Sequence, residues 1–72
     1  MEAVNNVAVP VLKGDKLREM RKAKGMTPTQ LAAAVGVSAQ AINRFEDGLK
    51  DPSLRLFKKI AETVGASYTD LI

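Results

Sequence analysis

Residues 31–48, LAAAVGVSAQAINRFEDG, constrain the fold more than any other part of this chain. Two runs with apolar edges, each about two helical turns long, flank the tripeptide Gly36-Val37-Ser38. A glycine lets the first run end in a left-handed residue, and a serine two positions later offers an oxygen to the N–H groups that open the second. The pattern predicts two short helices joined by a tight turn, with Val37 plugging the corner. In the second of them Ile42 and Phe45 define a buried side. At about 100° per residue, Gln40, Asn43, Arg44 and Asp47 fall on the other side.

The same punctuation runs through the rest of the chain. Asp15 is placed to cap a first helix ending near Lys24, with Leu17 and Met20 as its apolar edge and Gly25 as its stop. Thr27 caps the next helix, and Pro28 occupies its first position, where a missing N–H costs nothing. Leu31, Ala32 and Val35 form its inner face. Gly48 closes the third helix. Ser53 caps a fourth after Pro52, with Leu54, Phe57, Ala61 and Val64 at helical spacing and Leu56 and Ile60 on the adjoining edge. Gly65 stops it. Ser67 and Asp70 have the spacing of a capping box that opens a last short helix with Tyr68, Leu71 and Ile72.

Residues 1–13 stand apart. Val7, Val9 and Val11 alternate in the manner of a short strand, which Pro10 would confine to an edge. Such a strand is not stable alone. It frays, packs on the helical body, or pairs with its copy in a dimer. The expected organisation is an extended arm over 1–13 and one all-α domain over 14–72.

With 72 residues, no histidine and no cysteine, the chain lacks the commonest general base, the commonest zinc ligand and any disulfide. It also lacks a phosphate-cradling glycine loop and a paired-carboxylate motif. Ser38, Ser53 and Ser67 are accounted for as caps. The expectation is a binding protein, not an enzyme, with no cofactor and no metal. No apolar run approaches the ~20 residues needed to cross a bilayer, and the amino terminus has no basic region ahead of its valines. A cytoplasmic location follows as an expectation. Across residues 13–24, Lys13, Lys16, Arg18, Arg21, Lys22 and Lys24 outnumber Asp15 and Glu19, a local charge of +4 against +3 for the whole chain. A stripe of that kind suits phosphate contact, or is simply a solvated helix face.

The third helix carries the chemistry. Gln40 and Asn43 each present a donor and an acceptor together, as adenine requires. Arg44 suits guanine or a phosphate, and Ala39 suits a thymine methyl. Asp47 would repel phosphate and is expected to face away or to cap locally.

The spaced residues Gly25, Met26, Thr27, Leu31, Ala32, Gly36, Val37, Ser38, Ile42, Glu46 and Gly48 resemble the repressor/Cro-type, or XRE-like, helix-turn-helix family. The resemblance extends from about Leu17 to Ile72, and Pro52-Ser53-Leu54 and Ile60-Ala61 also match. It implies a five-helix repressor-like bundle that binds double-stranded DNA and regulates transcription, as a repressor. A homodimer is expected because a monomer reading a few base pairs binds too weakly alone. Ala39, Gln40, Asn43 and Arg44 would then read base edges, while Thr27, Thr29 and Lys50 would contact phosphates, helped by the N–H groups at the start of the second helix. The resemblance also implies an ion pair between Arg21 and Glu46. Glu46 lies about 40° from Ile42 around the helix, so its carboxylate is expected to be partly buried and to need a partner. Pro28 departs from the family, which usually carries there a glutamine that touches phosphate. Leu49 and Asp51 depart from a loop that is often basic. The same fold also serves as a protein-interaction module, an antitoxin or adaptor, and an exposed Leu49 would suit a protein partner.

Overall fold

A computed structural model describes residues 12–72, and the valine alternation around Pro10 lies outside the described residues. The described residues contain four α-helices: α1 (Gly14–Ala23), α2 (Pro28–Val35), α3 (Ala39–Glu46) and α4 (Leu54–Val64). They contain no β-strand, and a 3-10 turn, Tyr68–Asp70, follows α4. The last of the five expected helices is therefore this single turn. Its N–H groups bond three residues back, Asp70 to Ser67 O at 3.1 Å and Leu71 to Tyr68 O at 3.2 Å. That tighter winding delivers Leu71 to the core, where it is fully buried.

Most helix ends follow from the local sequence. Thr27, Ser38 and Ser53 sit at the N-caps of α2, α3 and α4, and each accepts from the N–H three residues on. Gly36 leaves α2 at φ +82°, a conformation in which any Cβ is strained. Its N–H and that of Val37 both return to Ala32 O, at 2.8 and 3.0 Å. This closes α2 and turns the chain directly into α3.

The start of α1 differs from expectation. The helix begins at Gly14 with Lys13 as N-cap and no side-chain cap, and Asp15 lies within the first turn. Two contacts made elsewhere set this start. Leu12 is drawn into the core, and the Lys13 N–H donates to Leu71 O at 2.7 Å. This bond joins the two ends of the described chain. Asp15 still favours the helix, because its carboxylate faces the positive end of the dipole.

The core takes one side of every helix. Leu17 comes from α1, Leu31, Ala32 and Val35 from α2, Ile42 and Phe45 from α3, and Phe57, Ile60, Ala61 and Val64 from α4. Burying each large side chain stabilises the fold by about 1.5–3 kcal/mol. The alanines keep α2 and α4 close. α2 packs on α3 and α4, and α1 packs on the same two helices. α3 is thereby held from behind by α2 and α1, with one face left outward.

Candidate nucleic-acid interface

α3 presents the expected face. Ile42, Phe45 and Glu46 are buried, while Gln40, Asn43 and Arg44 are exposed. Ala41 is half-buried, as the helix phase requires. Ala39 is also half-buried and packs partly against the core, so only part of its methyl faces outward. The phase is set at the first turn, where Ser38 Oγ accepts the Ala41 N–H at 3.1 Å.

Thr27, Thr29 and Lys50 are exposed on the flanking segments. Thr27 is already engaged in a reciprocal pair. Its Oγ1 accepts the Gln30 N–H at 3.1 Å, and its own N–H donates to Gln30 Oε1 at 2.9 Å. The Thr27 hydroxyl proton remains to donate outward. Pro28 has no N–H, and the capping box takes those of Thr27 and Gln30. Thr29 therefore supplies the one first-turn N–H left for an anion, fewer than the sequence suggested.

The two arginines of the basic stripe on α1 are used inside the molecule. Arg21 and Glu46 are both buried, with Arg21 Nε donating to Glu46 Oε2 at 2.6 Å and Nη2 to Oε1 at 3.1 Å. Arg21 Nη1 also donates to Met26 O at 2.7 Å, which fixes the loop leading to α2. Arg18 extends the network, with Nε on Glu46 Oε1 at 3.2 Å and Nη2 on Asp47 Oδ1 at 2.8 Å. These carboxylates, Glu46 first and Asp47 second, hold the Arg18 guanidinium above its ordinary range. Asp47, expected to face away or cap locally, is neutralised by Arg18. Lys16 forms a surface pair with Glu19 at 3.5 Å. Lys13, Lys22 and Lys24 remain as exposed cations without an ion pair among the described residues.

Gly14 completes this junction. A Cβ there would come within 2.5 Å of Phe45 O and would also collide with Glu46 O. The first turn of α1 thus lies directly on the last carbonyls of α3, positive dipole end against negative. Three contributors were missed in the sequence. The Thr27–Gln30 box was legible as a threonine followed three residues later by glutamine. Gly14 and the Arg18–Asp47 pair had no local signal, because both depend on how α1 crosses α3. No buried polar side-chain atom among the described residues lacks a hydrogen-bond partner. Nor do these residues contain a helix long and apolar enough to cross a membrane.

Comparison with known proteins places this geometry. A family model described as Helix-turn-helix matches residues 17–71. An uncharacterized HTH-type transcriptional regulator of Archaeoglobus fulgidus is 45% identical over 56 residues, covering 78% of this chain and 80% of that protein. The HTH-type transcriptional repressor RghR of Bacillus subtilis is 38% identical over 60 residues. That match covers 82% of this chain but 44% of RghR, so the chain spans less than half of that relative. Among solved structures, the P22 c2 repressor in complex with a synthetic operator is similar with a TM-score of 0.75 at 26% identity. The similarity covers 79% of this chain and 86% of that one.

Proposed function

The chain belongs to the helix-turn-helix family, and on that premise we propose that it is a transcriptional regulator that binds double-stranded DNA by laying α3 in the major groove. The observation that carries this is the two-sided character of α3. Its inner edge is bolted to α1 through Arg21 and Glu46, while Gln40, Asn43 and Arg44 stand exposed opposite. Gln40 and Asn43 have the donor–acceptor pairs that read adenine, Arg44 reads guanine, and the outward part of Ala39 meets a thymine methyl. Thr27, Thr29 and Lys50 contact the flanking phosphates.

A helix of this length reads only a few base pairs. The active species is therefore a homodimer on two half-sites about 34 Å apart. Repression by occluding a promoter is the favoured outcome, supported by the repressor RghR among the relatives. The role is binding rather than catalysis, and it is exercised in the cytoplasm.

The direct test is selection from a random duplex pool. An enriched palindrome with half-sites one helical turn apart is the expected result, with affinity falling steeply as salt rises. Recovery of no sequence overturns the reading. It would favour the protein-interaction alternative, for which Leu49, 77% exposed beside α3, is the supporting feature.

A further inference from the structure

The face of α1 turned toward α3 carries Gly14, Arg18 and Arg21, spaced so that they follow one another along a single stripe. Gly14 admits the carbonyls of Phe45 and Glu46, and Arg21 holds Glu46 in the interior. Arg18 reaches one residue further, to Asp47, the C-cap of α3. Unlike Arg21, Arg18 is at the rim. Its side chain is 43% exposed, and that of Asp47 is 53% exposed.

The position of Asp47 makes this pair consequential. Its N–H closes on Asn43 O at 2.9 Å, and the next two N–H groups, of Gly48 and Leu49, return to Phe45 O and Arg44 O. These bonds lead from the outward face of α3 into the loop that carries Lys50. A bare carboxylate at this point would oppose the negative end of the helix dipole. It would also repel any phosphate within a Debye length, about 8–10 Å. Arg18 answers both, because one planar guanidinium spans Glu46 and Asp47 together.

We propose that Arg18 is a positioning residue for DNA reading: it clasps Asp47 and Glu46 at once, fixing the C-terminal end of α3 on α1 so that Asn43, Arg44 and the Lys50 loop meet the duplex in one orientation. This deepens, and rests on, the DNA-binding role of α3 set out above. It differs from a direct phosphate contact by Arg18, whose Nε and Nη2 are already engaged by carboxylates. A lost phosphate contact lowers the salt slope of binding by about one even when Asp47 carries no charge, whereas a lost clasp leaves the slope in place once Asp47→Asn has removed the bared carboxylate.

The test uses the full chain as wild type, Arg18→Gln, Asp47→Asn and the double variant. Without DNA, amide exchange is followed at Asp47, Gly48 and Leu49 against the α4 amides. With DNA, the affinity ratio between the selected duplex and a scrambled one is measured across salt. Arg18→Gln is expected to speed exchange at those three amides several-fold and to lower the ratio several-fold, and the double variant, which has no bared carboxylate, is expected to keep the wild-type salt slope. The double variant is expected to discriminate no worse than Arg18→Gln alone. Unchanged exchange overturns the clasp, and an unchanged ratio overturns its role in reading. A slope reduced by one in the double variant, with additive effects of the two substitutions, replaces the clasp by a direct phosphate contact. A wild-type chain that enriches no duplex overturns the DNA-binding role itself, while the exchange measurement still decides whether Arg18 holds α3.

Discussion

Glu46 accepts hydrogen bonds from Arg18 and Arg21 in a site where its side chain is 2% exposed. Removing one member of a buried pair strands the other charge, at a cost of roughly 3–5 kcal/mol. A small domain has about 5–15 kcal/mol of stability in all. Glu46→Ala is therefore expected to lower the melting temperature severely, with the loss of a large share of that stability. A melting curve superposed on wild type would show that the pair contributes nothing. Arg44 is the opposite case, an exposed side chain. Arg44→Ala should leave the melting temperature nearly unchanged and weaken binding to the selected duplex by roughly 1–3 kcal/mol. Titrations that coincide with wild type would remove Arg44 from the reading set. The two residues were not equally legible. The outward placement of Arg44 follows from helical phase alone. Glu46 was marked as needing a partner by its angle to Ile42, but the contribution of Arg18 depends on the crossing of two helices.

Among the elements, the α1–α3 junction and the terminal turn show how packing overrides local preference. Alanine is a better helix former than glycine by about 1 kcal/mol, so Gly14→Ala would stabilise an isolated helix. Here the added methyl meets the Phe45 and Glu46 carbonyls. The substitution is expected to lower stability in a thermal or urea melt, and any gain would mean that α1 moves aside without loss. In the terminal turn, Asp70 Oδ2 accepts the Ser67 N–H at 3.0 Å. That bond, followed by the Ser67 side chain, holds the Asp70 carboxyl below its ordinary value. A depressed carboxylate contributes stability that is complete above its unfolded value and is lost as pH falls through the folded one. Wild type should therefore lose more stability than Asp70→Asn between about pH 5 and pH 2, read as melting temperature against pH. Parallel curves would dismiss the capping bond. The Ser67–Asp70 spacing was readable in the chain. That it opens a 3-10 turn was not, because Leu71 must reach the core.

For the molecule as a whole, the proposed dimer is the property with the clearest measurement. Sedimentation with a selected palindromic duplex should give two chains per duplex, and a duplex with one half-site destroyed should bind far more weakly. A single chain bound with full affinity would rule out twofold recognition. The sequence by itself determined the helices and the outward face of α3, because caps, glycine stops and apolar period act over only a few residues. It also marked the turn at Gly36, which needs nothing beyond a residue tolerant of positive φ. Only the tertiary structure decided where α1 begins and which basic residues remain for a ligand. Lys13 donates to Leu71 O near the other end of the chain, Leu12 is drawn into the core, and Arg18 and Arg21 meet carboxylates 25 to 29 residues away. Charge composition records how many cations a chain carries. Which of them face solvent depends on long-range packing that brings a carboxylate to some and leaves others exposed.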